Sequence, residues 1–233
     1  MSSNVLNGHE RLITHYNPRS PVAEAYRQLR TNIQFSSLDK PIKTLLVTSS
    51  SPEEGKSTTL ANLAITIAQT GSSVVLVDCD LRRPTIHELF GLQNTAGLTT
   101  MMVDTSLKRF PFQESGVPNL RVLPSGPLPP NPSELLGSRR MIEVIEQLKE
   151  EADYVLFDSP PVIAVTDAAV LATKVDAVLL VVSAGKTKRD LAQKARLLLD
   201  KVNANLIGAV LNNVKFDSSL HHYYAEQEKS RTK

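Results

Sequence analysis

Residues 44–59 read TLLVTSSSPEEGKSTT, an apolar β-branched run followed by a polar turn and a hydroxyl-rich segment. The turn matches the phosphate-binding pattern G-x-x-x-x-G-K-[ST] at Gly55, Lys56 and Ser57, although Ser50 occupies the first glycine position. The run predicts a buried strand and the segment after the turn predicts a helix, which is the context in which this pattern binds phosphate. Backbone N–H groups of such a loop and of the following helix hold phosphate oxygens. The stretch therefore predicts a nucleotide-phosphate site.

The side chains of this loop have the chemistry that a phosphate site needs. Lys56 can neutralise the β- and γ-phosphates, and the hydroxyl of Ser57 can ligate Mg²⁺. A glycine-containing turn beside a surface lysine is the alternative explanation for the same motif. We expect the whole loop to bind the nucleotide, namely Ser50, Ser51, Pro52, Glu53, Glu54, Gly55, Lys56, Ser57 and Thr58.

Apolar β-branched bursts alternate with helix-period segments along the rest of the chain. Most bursts are continuously apolar, which is typical of strands covered on both faces of a parallel sheet. Predicted strands lie at 44–48, 74–78, 120–123, 154–158, 177–182 and 206–211, and predicted helices at 57–69, 138–150, 166–173 and 188–202. This alternation predicts an α/β fold with a doubly wound, mainly parallel sheet and helices on both faces. In such a fold the ligand site lies at the carboxyl ends of the strands.

Length and composition restrict the class of protein. A chain of 233 residues suits one compact domain, and a formal net charge of +2 is too small to predict nucleic acid as a partner. The single cysteine, Cys79, excludes an intrachain disulfide, which fits a cytoplasmic location. No apolar run approaches the roughly 18 residues that span a bilayer, and the N-terminus lacks the apolar core of a signal peptide. Membrane association is therefore expected only through a partner or a surface contact.

Two further predicted strands end in aspartate. The segment YVLFDSPP places Asp158 at a strand end, where P-loop proteins use an aspartate to support Mg²⁺. The segment VVLVDCDLRRP carries Asp78 and Asp80, which on an extended chain point to the same side. Two such carboxylates repel each other unless a cation or a proton lies between them, and a Mg²⁺–ATP site supplies the cation. The alternatives are an aspartate that caps a turn and a solvated acidic turn paired with Arg82 and Arg83.

These motifs together resemble the bacterial tyrosine kinases, or BY-kinases, a family with the P-loop NTPase fold. That family tolerates serine at the position of Ser50, and it shares the apolar-D-x-D-x-R motif and the strand ending in D-x-x-P. The resemblance extends to SGPLPPNPSELL at 125–136 and to TDAAVLA at 166–172, and it covers roughly residues 20–215. The related chromosome-partition and division-site ATPases carry a signature lysine where this chain has Ser51, so the chain is less similar to them.

The resemblance implies an ATP-dependent protein-tyrosine kinase that uses Mg²⁺. Its catalytic residues would be Lys56, Asp78, Asp80 and Asp158, and its metal residues Ser57, Asp78 and Asp158. Asp80 is the preferred acceptor of the tyrosine hydroxyl proton, although its role is exchangeable with that of Asp78. Asn212 and Asn213 follow the last predicted strand, where related P-loop proteins bind adenine.

Two further elements match the family outside the phosphate site. Glu24, Arg27 and Arg30 match an E-x-x-R-x-x-R element of the N-terminal helix, which the family uses to contact the neighbouring subunit of a ring-shaped homo-oligomer. A solvated face with ordinary ion pairs is the alternative. Tyr223 and Tyr224 correspond to the terminal tyrosine cluster that neighbouring subunits phosphorylate, here reduced to two tyrosines.

We expect a flexible segment at 1–19, a kinase domain at 20–215 and a flexible, tyrosine-bearing tail at 216–233. The Gram-positive version of the family is a separate cytoplasmic kinase that a transmembrane adaptor activates and recruits to the membrane. It regulates the export of capsular or extracellular polysaccharide, and this chain resembles that version. The alternative functions are a partition-type ATPase switch that modifies no protein and a regulatory module that binds nucleotide as a structural ligand.

Overall fold

A computed structural model of the chain describes residues 11–36, 40–107 and 109–214. Seven strands of this part form one sheet: β1 (Thr44–Ser49), β2 (Val74–Asp78), β3 (Gln113–Glu114), β4 (Leu120–Leu123), β5 (Tyr154–Asp158), β6 (Ala177–Ser183) and β7 (Leu206–Asn212). Their order is β3-β4-β2-β5-β1-β6-β7. Every neighbouring pair is parallel except β3 and β4. The predicted doubly wound, mainly parallel sheet is confirmed.

Helices cover both faces of this sheet. In the described part they are α1 (Ile13–Tyr16), α2 (Pro21–Phe35), α3 (Lys56–Ala68), α4 (Ile86–Phe90), α5 (Leu98–Val103), α6 (Pro132–Gly137), α7 (Arg139–Glu151), α8 (Asp167–Ala172) and α9 (Arg189–Lys201). One core lies between the sheet and α1 to α4, and the other lies between the sheet and α5 to α9. Each central strand is therefore buried on both faces, as its continuous apolar sequence predicts.

Helix α3 follows the phosphate loop and is almost completely enclosed, because eleven of its 13 residues are buried. Its outer side is covered by α1 and α2, so polar side chains on that side need partners within the protein. Asn62 provides the main link. Its Oδ1 atom accepts the backbone N–H of Thr14 at 3.0 Å, and its Nδ2 atom donates to the carbonyls of Arg11 at 2.8 Å and Thr58 at 2.9 Å.

The N-terminal segment differs from its prediction as a flexible stretch at 1–19. Residues 1–10 lie outside the described part, but residues 11–19 are ordered and include α1. Leu12 belongs to the core and Thr14 is completely buried. Helix α1 has only four residues, too few to show a helical period in the sequence, and Asn62 links it to α3. The folded unit therefore includes residues 11–16, ahead of the predicted boundary at 20.

Three other elements depart from the predictions. Strand β7 is the sheet edge and only partly buried, with Leu211 58% exposed, although its sequence predicts a strand covered on both faces. Helix α6 begins inside the proline-rich stretch at 125–133, since its first residue is Pro132, although glycine and proline clusters are typical of a loop. Proline is tolerated at the first helical position because that N–H has no helical acceptor. Helices α4 to α6 have five or six residues each and are too short to show a helical period.

Helix α2 packs on α3 with part of its apolar sequence. Ala23 and Ile33 are its buried residues and Leu29 packs against the core, whereas Val22 is 43% exposed. The Ser20 hydroxyl caps the helix by accepting the N–H of Ala23 at 3.1 Å. Among the residues that the structure describes, no helix is both long and apolar enough to cross a membrane.

We predict that Asn62→Ala releases the segment 11–16 from α3. The substitution leaves the buried Thr14 N–H without an acceptor, which should lower the free energy of unfolding by about 2 kcal/mol. Urea denaturation measures that loss, and hydrogen exchange should show faster exchange of the Thr14 amide. Gln28→Ala, at an exposed position of α2, is the control and should change neither quantity. Unchanged protection of Thr14 in Asn62→Ala would contradict the prediction.

Candidate active site

The phosphate loop lies between the carboxyl end of β1 and the first turn of α3. Gly55 is the N-cap of α3 and has a φ of 87°, in the left-handed region that favours glycine. A Cβ atom at this position would displace the Asn212 side-chain amide, which donates to the Glu54 carbonyl. Glycine is therefore required at this end of the loop by backbone conformation and by packing.

A buried carboxylate holds the other end of the loop. Glu54 is 1% exposed, and its Oε2 atom accepts the backbone N–H of Ser50 at 2.8 Å and of Ser51 at 3.0 Å. The Ser50 hydroxyl is 2.8 Å from both oxygens of the same carboxylate. Ser50 thus contributes a donor that glycine lacks. The missing first glycine is explained by this contact, because the serine side chain stabilises the loop from within.

The same carboxylate connects the loop to the β6 and β7 side of the sheet. Thr187, in the turn before α9, donates its hydroxyl to Glu54 Oε1 at 2.5 Å and accepts the backbone N–H of Ser183 at 2.9 Å. Asn212, at the end of β7, donates from Nδ2 to the Glu54 carbonyl at 3.0 Å. Thr187 was not predicted as a site residue, because a threonine in a polar turn has no distinctive sequence pattern.

Lys56 lies among acidic side chains from neighbouring strand ends. Its Nζ atom is 2.9 Å from Asp80 Oδ2 and 3.3 Å from Asp158 Oδ2. The Ser57 hydroxyl donates to the same Asp158 oxygen at 2.5 Å. Asp78 and Asp158 are register partners in the adjacent strands β2 and β5, which places both at the carboxyl ends of the strands. The fold therefore brings the predicted catalytic and metal residues into one cluster.

The ionisation of this cluster is set by burial and by mutual charge. Burial lowers the pKa of Lys56, but the carboxylates of Asp158 and Asp80 outweigh it, so this pKa is raised above its usual value. Burial, and then the neighbouring Asp158 carboxylate, raise the pKa of Asp78 well above its usual range. Burial also raises the pKa of Asp158, although Lys56 and Ser57 oppose the shift. The concentration of buried acidic groups favours a bound cation or proton here.

Asp78 and Asp80 have different surroundings, which the extended-chain prediction did not distinguish. Asp78 accepts three backbone N–H groups, from Asp80 at 3.1 Å and from Thr85 and Ile86 at 3.0 Å each. Asp80 is 4% exposed, directs Oδ2 to Lys56 and lines the cavity in front of the loop. Asp78 therefore holds the segment after β2, and the metal role of Asp78 stays a prediction.

The donor set around Asp158 fits Mg²⁺. Its Oδ1 atom is buried and has no hydrogen-bond partner in the described part of the chain, whereas Oδ2 accepts from Ser57. Carboxylate and hydroxyl oxygens are ligands that Mg²⁺ combines with water and substrate phosphates. Within the described ranges, no group of three or more His, Cys, Asp or Glu side chains is arranged to hold a metal by itself. Ser57 and Asp158 thus fit a cation that takes its remaining ligands from water and from a substrate phosphate.

Arg82 connects the motif after β2 to two segments that had no assigned role. Its guanidinium pairs with the buried Asp167 of α8, with Nε 2.9 Å from Oδ2 and Nη2 3.0 Å from Oδ1. The Ser133 hydroxyl of α6 donates to the same carboxylate. Arg82 therefore pairs with neither Asp78 nor Asp80, which argues against the solvated acidic turn as an explanation of this motif.

The loop opens into a cavity of about 910 Å³. Of the predicted nucleotide-binding loop, the residues that line the cavity are Pro52, Glu53, Gly55, Lys56, Ser57 and Thr58. The predicted adenine residues lie elsewhere. Asn212 contacts the loop from the β7 side, and Asn213 donates to the Ser183 hydroxyl at 2.9 Å. The cavity therefore contains the phosphate end of the site and the space toward β2 and β5.

The predicted interface residues lie away from this cavity. On α2, Glu24 pairs with Arg27 at 2.7 Å. Arg30 donates to the Thr66 carbonyl of α3 at 2.8 Å, so this arginine also holds α2 against α3 within the chain. The predicted phosphoryl acceptors, Tyr223 and Tyr224, lie outside the described residues.

We predict that Glu54 positions the phosphate loop and that its effect requires Thr187. Glu54→Leu removes the acceptor of the Ser50 and Ser51 amides, and Thr187→Val removes the connection to the β6 side. Each substitution should weaken the binding of a fluorescent Mg²⁺–ADP analogue about tenfold, which corresponds to about 1.4 kcal/mol.

The two effects should be coupled, because both substitutions remove the same hydrogen bond. The double variant should therefore bind only slightly more weakly than either single one. Glu146→Gln is the matched control, since this exposed side chain of α7 pairs with Lys149 and does not line the cavity, and it should alter the Kd less than about twofold. Fully additive losses in the double variant would contradict the coupling.

Comparison with known proteins extends these observations. A family model described as ParA, NUBPL iron-transfer P-loop NTPase, matches residues 42–228. Tyrosine-protein kinase YwqD of Bacillus subtilis strain 168 is 44% identical over 212 residues, which cover 91% of this chain and 90% of that protein.

Two solved structures are similar in fold and in sequence. The crystal structure of the chimerical protein CapA2B2 has a TM-score of 0.85 and 37% identity, covering 89% of this chain and 91% of that one. The kinase domain of Escherichia coli tyrosine kinase ETK has a TM-score of 0.82 and 34% identity, covering 87% of this chain and 80% of that one. Because the similarity extends over nearly the whole chain and includes the phosphate loop and its acidic cluster, the chain belongs to the bacterial tyrosine-protein kinase family of P-loop NTPases.

Proposed function

We propose that the chain is an ATP- and Mg²⁺-dependent protein-tyrosine kinase that phosphorylates the tails of neighbouring copies and other proteins. The observation that carries the proposal is the contact of Lys56 with Asp80 and Asp158. It places an ammonium group that can neutralise phosphate beside a carboxylate that lines the cavity. Transfer of a γ-phosphoryl group to a hydroxyl needs both groups.

In the proposed reaction, a bond forms between the tyrosine hydroxyl oxygen and the γ-phosphorus. The bond from that phosphorus to the β–γ bridging oxygen breaks, so the electron pair stays with the departing ADP. Phosphate oxygens compete with Asp80 for Lys56, which frees Asp80 to accept the hydroxyl proton. Ser57 and Asp158 would hold Mg²⁺, which when bound neutralises the phosphate oxygens during the transfer. The backbone N–H groups of the loop would hold the β-phosphate.

We also infer the assembly in which this reaction takes place. Tyr223 and Tyr224 would be the acceptors presented to a neighbouring copy in a ring-shaped oligomer, and Glu24 and Arg27 on the exposed side of α2 would contact that neighbour. A transmembrane adaptor would activate the kinase and recruit it from the cytoplasm to the membrane, where the pair would regulate capsular or extracellular polysaccharide export. Similarity to the chimerical protein CapA2B2 supports this two-protein arrangement.

We predict that incubation with γ-labelled ATP, Mg²⁺ and an adaptor's cytoplasmic segment labels Tyr223 or Tyr224. Lys56→Met should lower the labelling rate at least about 100-fold, because it removes the charge that stabilises the transferring phosphoryl group. Mass spectrometry identifies the labelled residues. Lys194→Met, at an exposed position of α9, is the control and should retain the wild-type rate.

The same experiment separates the alternative functions. Released phosphate without labelled protein would favour a partition-type ATPase switch, although Ser51 lacks the charge that this class requires. Nucleotide that is retained unchanged would favour a structural role for the nucleotide. Either result would overturn the kinase proposal.

We predict that substitutions of Asp78 and Asp80, at and just after the end of β2, have different effects. Asp80→Asn should lower the phosphoryl-transfer rate about 100-fold while changing the free energy of unfolding by less than about 1 kcal/mol, since it removes a proton acceptor at the cavity. Asp78→Ala should lower the free energy of unfolding by at least about 2 kcal/mol, because three backbone N–H groups lose their acceptor. Urea denaturation and the labelling assay measure both; equal losses of stability would contradict this assignment.

A further inference from the structure

The active-site cavity extends to one side of the phosphate loop. Beyond the loop, its walls come from the segment after β2, from α4 and from the segment after β5. In the described part of the chain, none of its lining residues belongs to β6 or β7, the side on which Asn212 contacts the loop. The volume in front of Asp80 is therefore open to an acceptor polypeptide that approaches from the β2 and β5 side.

The cations of this cavity differ in whether they have carboxylate partners. Lys56 pairs with Asp80 and Asp158, and Arg82 pairs with Asp167. Arg11 and Arg83 also line the cavity, and within the described residues no carboxylate lies within ion-pair distance of either guanidinium. Two positive charges therefore remain available at the acceptor side.

The position of Arg11 is fixed by a buried contact. The Asn62 Nδ2 atom donates to the carbonyl of Arg11 at 2.8 Å and to that of Thr58, the last residue of the phosphate loop, at 2.9 Å. The buried Leu12 and Thr14 hold the following turn against α3. Arg11 thus has an anchored backbone and an exposed side chain at the cavity, an arrangement suited to contact a ligand.

The backbone of Arg83 is fixed in a similar way. Its N–H donates to Asp80 Oδ1 at 3.0 Å, while its side chain is exposed. The segment after β5 contributes an apolar wall, formed by Pro160, Pro161 and Val165, against which an aromatic ring can pack. The cavity therefore combines a proton acceptor, a surface for a tyrosine ring and two arginines that have no carboxylate partner among the described residues.

We propose that Arg11 and Arg83 form a subsite for carboxylates beside the acceptor tyrosine, so that acidic tyrosine peptides are the preferred substrates. This inference rests on the proposed kinase function and specifies its substrate class. The chain carries such a sequence itself, since Glu226 and Glu228 follow Tyr224. In an extended peptide these glutamates lie about 7 Å and about 13 Å along the chain from the tyrosine.

Glu88 also lines the cavity and has no cationic partner within the described ranges. Its charge opposes that of one arginine, so Arg11, Arg83 and Glu88 together carry one net positive charge. The preference for acid should accordingly depend on the position of the carboxylate and should weaken as salt screens the exposed pairs.

Two peptides test the subsite: HHYYAEQEK, which is residues 221–229, and its neutral variant HHYYAQQQK. Fluorescein-labelled peptides are titrated against the full chain with Mg²⁺–ADP, and their phosphorylation is followed with Mg²⁺–ATP and an adaptor segment. The wild-type chain should bind and phosphorylate the acidic peptide about tenfold better than the neutral one. Arg11→Gln and Arg83→Gln should each reduce this ratio about threefold, as for exposed ion pairs, and the double variant should reduce it to about one.

Arg139→Gln is the matched control, because its side chain is 92% exposed on α7, and it should keep the wild-type ratio. Arg83→Glu should prefer the peptide HHYYAKQKK over the acidic one, which loss of structure alone would not cause. Equal binding of the acidic and neutral peptides by the wild-type chain, or an unchanged ratio in the double variant, would overturn the subsite. A binding preference for acid without phosphorylation of any peptide would support the subsite and overturn the proposed kinase function.

Discussion

Acidic side chains meet at the carboxyl ends of β2 and β5, and the charge of Lys56 stabilises this arrangement. The parallel register sets Asp78 beside Asp158, and Lys56 lies 2.9 Å from Asp80 and 3.3 Å from Asp158. Without a cation at this point, the buried carboxylates would have to bind protons, because burial and mutual repulsion disfavour their charged forms. The same charges are the basis of the proposed reaction. Phosphate oxygens compete with the carboxylates for Lys56, and Asp80 is then free to accept a proton.

The loop that carries Lys56 is held by two buried polar groups, one on each side. Glu54 binds the amides of Ser50 and Ser51 and reaches Thr187 on the β6 side. Asn62 binds Thr58 and the N-terminal segment on the opposite side. The phosphate site is therefore built before any ligand is bound, and segments far apart in sequence contribute to it. Such preorganisation lowers the ordering cost of nucleotide binding.

Most of the fold and the central chemistry could be predicted from local pattern. The six predicted strands are present, because continuous apolar runs between turn residues have few other structures available. Thr187 and Arg11 could not be predicted as parts of the site, since neither lies in a periodic or motif-bearing segment. Helices α4, α5 and α6 were missed for a related reason: one or two turns do not establish a period.

The sequence by itself determined the strand–helix alternation, the phosphate loop and the acidic residues at the strand ends, because each follows from residues that are close along the chain. Tertiary structure alone decided that Asp78 holds a backbone segment while Asp80 faces the cavity, although the two lie two residues apart. It also decided that Ser50 could replace glycine, since the buried Glu54 carboxylate accepts its hydroxyl. The physical reason is that hydrogen bonding and burial depend on neighbours in space, which a linear pattern does not contain.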